Sequence, residues 1–182
     1  MTSQALARAD SRPPTRKRRV ATQRASGNVA RRNTLPEYLE VPEINALIRV
    51  ATHTQAPLLM LIQWRAGLRV SETLALKGAD LALEDEQPTL RVRHGKGGKD
   101  RIVPVHPELA AGLRSFLAFS SVRRGPIFNV SRSTAWRWVK DALARTEVLG
   151  AIPPGRKVGT HALRHSAARH WLASGVPINV VS

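Results

Sequence analysis

The stretch TLRVRHGKGGKDRIVPV, residues 89–105, is where the hydrophobic period of the chain changes. Leu90 and Val92 alternate with arginines before a glycine-rich centre, and Ile102, Val103 and Val105 bring apolar positions back after it. A period near two on both sides of a Gly-containing turn reads as a β-hairpin, with its tip at HGKGGKD, residues 94–100. Gly95, Gly97 and Gly98 let the backbone reverse sharply, so that Lys96 and Lys99 project from the tip. The turn is not a nucleotide-binding P-loop. It joins two strands and lacks the Ser/Thr and the following helix that such a loop requires.

On either side of the hairpin the period is helical. Upstream, VPEINALIRVA (41–51) carries Ile44, Leu47, Ile48 and Ala51 at helical spacing, with Pro42 in the first turn. PLLMLIQWRAG (57–67) is apolar nearly all round, as a helix buried on every side would be, and Gly67 ends it. RVSETLALKGADL (69–81) reads as one further helix. Downstream, HPELAAGLRSFLAFS (106–120) sets Leu109, Leu113, Phe116 and Leu117 on one face, and PIF (126–128) is a short buried piece. STAWRWVKDALARTEVLG (133–150) is a helix with Ser133 as N-cap and Gly150 as its end. After Thr160, HALRHSAARHWLASG (161–175) is another, closed by Gly175. The expected fold class is mainly α with a small antiparallel β-sheet or hairpin, an α+β arrangement.

A length of 182 residues fits one globular domain, and 42% hydrophobic residues can fill its core. A domain of ~150 residues buries roughly two-thirds of its unfolded surface. Charge is the unusual quantity. Twenty-nine Lys and Arg against 13 Asp and Glu give +16, which points to a polyanionic partner, nucleic acid before any other. No long apolar run or signal-like segment suggests a membrane. The absence of cysteine excludes disulfides and thiolate metal sites and suits a reducing interior.

The charge is also uneven. Residues 1–36 hold nine Lys/Arg and one Asp, a net +8 that is half the total. The segment RPPTRKRRVATQRASGNVARRN (12–33) has no apolar period and cannot bury enough surface to offset its chain entropy. Residues 1–34 are therefore expected to be a disordered basic arm, with Arg16, Lys17, Arg18 and Arg19 lying on DNA phosphates. The globular domain is expected over residues 35–182.

Three groups of residues carry candidate chemistry. In RAGLRVSE (65–72), Arg69 follows the glycine that ends the buried helix and stands at the start of the next, where free N–H groups favour an anion. Lys96 and Lys99 sit on the hairpin, where a flexible lysine can reach a DNA groove. His161 and Arg164 share a helix face at i, i+3, so imidazole and guanidinium can converge on one anion. His161 and His165 have the i, i+4 spacing of a zinc pair, but there is no Glu in the HExxH position and no cysteine. His165 and His170 read as packed or capping histidines, and no metal is expected.

In this order, AGLRVSETLAL, HGKGGKDRIVPV and THALRHSAARHWLASG resemble the first-arginine, hairpin-lysine and His-x-x-Arg motifs of the tyrosine recombinase (phage integrase) family, catalytic domain. The resemblance runs from about Leu35 to Ser182. It implies that Arg69 and Arg164 bracket a scissile phosphate, that Lys96 is the general acid for the departing 5′-oxygen, and that His161 supplies a hydrogen bond or proton transfer. Glu72 would support the site, and Lys99 and Arg101 would contact DNA. No cofactor is implied.

The family's nucleophilic tyrosine follows the His-x-x-Arg helix, and the sequence ends at Ser182 before reaching one. The single tyrosine, Tyr38, precedes Arg69 and reads as a packing residue. The expectation is a catalytic domain incomplete at its C-terminus, inactive in cleavage as it stands and monomeric. The complete protein would assemble as a tetramer on double-stranded DNA in the cytoplasm, encoded by a prokaryote, phage or mobile element. A catalytically inactive DNA-binding remnant and a type IB topoisomerase-like enzyme are the alternatives.

Overall fold

The computed structural model describes residues 37–95, 98–120, 122 and 124–176. The expected basic arm, including Arg16, Lys17, Arg18 and Arg19, lies outside these residues, as does Lys96. In chain order the elements are α1 (Val41–Arg49), α2 (Ala56–Arg65), α3 (Val70–Ala75), a 3₁₀ turn (Gly78–Asp80), β1 (Leu81–Ala82), β2 (Thr89–Val92), β3 (Arg101–Pro104), α4 (Pro107–Phe119), α5 (Arg132–Val148) and α6 (Thr160–Ala173).

Helix α2 is the centre. Leu58, Leu59, Met60, Ile62 and Trp64 are all buried, and the helix packs against α1, α3, α4, α5 and α6. An apolar surface all round is what lets one helix touch five others. Helix α1 buries Ile44 and Leu47 on its inner stripe. Helix α6 is fixed at its start by the Gln63 amide, which donates to the Thr160 carbonyl (3.2 Å). In its middle, the Ser166 hydroxyl accepts from the Leu39 N–H (2.7 Å). These bonds settle where the face bearing Arg164 points.

The hairpin is present, in a sheet of three antiparallel strands ordered β1-β2-β3. Its register pairs Leu90 with Val103 and Arg91 with Ile102. Leu90 and Val92 are buried, whereas Ile102 is 61% exposed and lies on the outer face. The apolar alternation therefore misleads at Ile102, which lines a cavity described below.

Two other expectations are corrected. The helix expected over residues 69–81 ends at Ala75, because Leu76 turns extended (φ −62°, ψ 137°) and is buried. The Leu76 carbonyl accepts from the Ile127 N–H (3.0 Å); in the PIF segment Ile127 and Phe128 are buried while Pro126 is exposed, and Leu81–Ala82 becomes a third strand against β2. Helix α5 is capped by Ser131, not Ser133: the Ser131 hydroxyl accepts from the Thr134 N–H at 3.1 Å, so the helix starts earlier.

Candidate active site

The corner between α2 and α3 places the first candidate residue. Gly67 has φ +61°, a left-handed conformation that follows naturally on a helix end. A Cβ there would lie 2.6 Å from Cη2 of Trp171, so the α6 indole covers the corner at a distance only glycine allows. The Gly67 carbonyl accepts a hydrogen bond from Arg164, also on α6. The chain then enters α3 with Arg69 extended at the N-cap. Two contacts at Gly67 thus bring the Arg69 and Arg164 segments together.

One carboxylate collects the charges. Glu72, with its side chain 7% exposed, accepts from the Arg69 N–H (2.8 Å) and from the Arg69 guanidinium (3.0 Å). Arg101, the first residue of β3, binds it with both prongs: Nη1 to Oε1 at 3.0 Å and Nη2 to Oε2 at 2.9 Å. Arg164 Nη1 stands 3.9 Å from the same carboxylate. Three guanidiniums from α3, β3 and α6 therefore share a single negative charge, and the cluster keeps an excess of positive charge. Burial alone would raise the Glu72 pKa, but the hydrogen bonds from Arg101 and from the Arg69 backbone, with the Arg101 charge, hold it at about 2. Burial, then the nearby charge of Arg69, lowers the pKa of Arg164. An arginine stays protonated in a protein regardless.

These guanidiniums face a cavity of about 580 Å³. Arg69, Arg101 and Arg164 form its basic end, while Ile102, Pro104 and Trp171 belong to its apolar wall. Lys99 is at its edge. Forked cations beside an apolar wall suit an oxyanion attached to a bulky organic group, such as a phosphodiester with its sugar.

Of the residues singled out in the sequence, Arg69, Arg101, Arg164 and Lys99 line this cavity, and Glu72 supports it. Arg101, expected to contact DNA, also gives two of its N–H groups to Glu72. His161 lies one turn before Arg164 on α6, is exposed, and is not among the cavity's lining residues. His165 is also exposed on the surface; partial desolvation of its ring, then the charges of His161 and Arg164, lowers its pKa. Tyr38 packs as expected: its ring lies 4.0 Å from the Arg169 guanidinium, and its carbonyl accepts from Arg156. Among the described residues, no group of three or more His, Asp or Glu is placed to hold a metal ion.

Lining residues that sequence reading did not single out include Arg65, Asp100, His106 and Trp171. Trp171 had a usable signal, since it follows Arg164 by seven residues and so shares its helix face. His106 had none. It caps α4, its Nδ1 accepting from the Glu108 N–H (3.2 Å), and burial followed by the Arg65 charge lowers its pKa.

The model of the phage integrase family matches residues 37–182, and the chain belongs to that family. Over 161 residues it is 34% identical to a tyrosine recombinase XerA from Pyrococcus horikoshii, covering 81% of this chain and 52% of that one. The crystal structure of a XerA recombinase superposes with a TM-score of 0.67 at 30% identity, over 81% of this chain and 55% of the other. A XerH site-specific recombinase bound to palindromic difH substrate, in a post-cleavage complex, shares the fold (TM-score 0.65, 23% identity, 82% of this chain and 46% of that one). The chain spans about half the length of the curated relatives it matches.

Proposed function

We propose that this chain supplies the phosphate-gripping part of a site-specific tyrosine recombinase. In the complete protein, double-stranded DNA would be cut and rejoined through a 3′-phosphotyrosyl intermediate without a metal ion. The observation that carries this reading is the convergence of Arg69 and Arg164 on one cavity, held from behind by Glu72. Two guanidinium forks match the non-bridging oxygens of a phosphodiester, and their charge counts most as negative charge builds in the pentacoordinate transition state. A tyrosine oxygen attacks phosphorus, the P–O5′ bond breaks, and Lys96 passes its proton to the departing 5′-oxygen. His161, exposed one turn before Arg164, contributes a hydrogen bond or proton transfer at the same phosphate.

The domain from Leu35 onward would perform this chemistry, while the basic arm of residues 1–34 and Lys99 add contacts to DNA phosphates. The complete protein would assemble as a tetramer on two duplexes and act where the cell's DNA is. Among the described residues no helix is long and apolar enough to cross a membrane. Backbone contacts of this kind give affinities of roughly 10⁻⁴–10⁻⁶ M that weaken with salt. The experiment is a duplex nicked beside the cleavage point, offered to the complete gene product. A covalent protein–DNA adduct that is lost in Arg69→Ala, with duplex binding largely retained, is the expected result. No adduct with any substrate contradicts the reading; retained binding would then favour a DNA-binding remnant. Relaxation of supercoils without site preference would favour a type IB topoisomerase-like enzyme.

A further inference from the structure

We propose that Arg101 is a positioning residue: it pins the hairpin tip that bears Lys96 to Glu72, and so sets the reach of that lysine toward the phosphate held by Arg69 and Arg164. The inference rests on the function proposed above, which makes Lys96 the proton donor.

Three observations carry it. Arg101 gives both prongs of its guanidinium to a carboxylate that is nearly buried and that also binds Arg69. The strand is thereby tied directly to the phosphate-gripping pair by charge-assisted bonds, the strong class of hydrogen bond. Next, Gly95, the residue before Lys96, leans on the same guanidinium. A Cβ on Gly95 would come within 2.6 Å of Arg101 Nη1 and 3.0 Å of the Lys99 carbonyl oxygen, so the Gly95 backbone and the guanidinium lie close together. Finally, the tip closes on Gly95: its N–H donates to the Lys99 carbonyl (2.9 Å), and its carbonyl accepts from the Gly98 N–H (2.9 Å). Fixing Gly95 therefore fixes the base of the tip.

The other hairpin anchors do something different. Arg93 pairs with Asp80, and Arg91 pairs with Asp100, which also accepts from the His94 N–H (3.0 Å). Those bonds hold the strands to each other and to the 3₁₀ turn. Among the described residues, Arg101 is the hairpin side chain hydrogen-bonded to Glu72. With Nη1 and Nη2 both bonded to Glu72, the guanidinium ties β3 to the phosphate-gripping pair, and its effect on the reaction runs through the hairpin. Lysine would keep the charge but lose the two-pronged geometry.

The test uses Arg101→Ala and Arg101→Lys in the complete gene product, on two nicked duplexes. One duplex has oxygen at the 5′-bridging position of the scissile phosphate and the other sulfur. Sulfur departs as a thiolate, whose thiol has a pKa of about 8.5, and needs no proton donor. On the oxygen substrate, Arg101→Ala is expected to slow cleavage by roughly 10- to 100-fold, part of the 10²–10⁴ a general acid contributes. Arg101→Lys should recover only part of that, and the sulfur substrate should restore most of it for both variants. Arg69→Ala should stay defective on both substrates. An Arg101→Ala variant that matches the unaltered protein on oxygen overturns the inference, as does one equally slow on oxygen and sulfur. An unaltered protein that cleaves neither substrate contradicts the proposed function itself. A second measurement is independent of cleavage: amide exchange in the 182-residue chain. The Gly95 and Gly98 amides should exchange faster in Arg101→Ala while Thr73 in α3 keeps its protection. Unchanged exchange at both glycines overturns the pin.

Discussion

Helix α2 and the cluster around Glu72 hold the protein together by opposite means. Helix α2 is surrounded by apolar neighbours on five elements, and its side chains are held by contacts that have no preferred direction. The Glu72 cluster joins α3, β3 and α6 through one carboxylate and three guanidiniums at fixed geometry. The first region fixes where the helices lie, and the second fixes where charges point. A phosphate site needs both: a rigid apolar frame, and an arrangement of cations stable enough to wait for its anion. A buried ion network need not be more stable than apolar packing in its place, though breaking it by removing one partner is costly. Its value here is in placement.

The contrast can be broken from either side, and the largest effect belongs to the apolar side. Trp64→Ala empties a site that is 2% exposed and should cost ~3–5 kcal/mol of unfolding free energy. Urea denaturation checks this; a loss under ~1 kcal/mol would mean that α2 is not the centre of the core.

The next effect is electrostatic and should follow pH. The folded-state pKa of Glu72 is about 2 against an ordinary 4.5, a depressed value. The stability it contributes is present above about 4.5 and is lost as pH falls toward 2. The loss is on the order of 3 kcal/mol for a side chain this buried. Glu72→Gln should be less stable near neutrality and show a flatter acid limb. A variant whose profile parallels that of the unaltered chain between pH 5 and 2 would remove Glu72 from its place at the centre of the cluster.

Gly67→Ala sharpens the comparison where the two regions meet. It forces a side chain into a left-handed conformation and against Trp171, so about 2 kcal/mol should be lost. Because the corner also carries the Arg164 contact, adduct formation should fall further than the stability loss explains. Equal falls in stability and in the folded-fraction-corrected rate would argue that the corner has only a structural part.

How much of this could be read in the sequence follows the same division. The buried character of α2, the hairpin and the i, i+3 placement of His161 and Arg164 were legible because each is a local pattern of spacing. Strand β1 was not. Two residues carry no period, and Leu81 becomes a strand only through pairing with Leu90. The α5 cap was misplaced by two residues, since Ser131 and Ser133 are both acceptable caps and only the Thr134 bond chooses between them. The Arg101–Glu72 pair spans 29 residues and was invisible for a different reason: no local spacing links a hairpin arginine to a carboxylate on another element. His161 shows the limit of spacing alone. Its helix face was read correctly, yet the free chain leaves it exposed and outside the cavity's lining.

The claim on which the rest depends is that Arg69 and Arg164 serve one phosphate. Its most direct test is the salt dependence of duplex binding by the 182-residue chain, compared with the double variant Arg69→Gln/Arg164→Gln. The slope of log K against log salt changes by about 0.9 for each phosphate neutralised. If the two arginines share a phosphate, the double variant should flatten that slope by about one unit. A flattening of about two units would assign them separate phosphates, and no change would take both of them off the DNA.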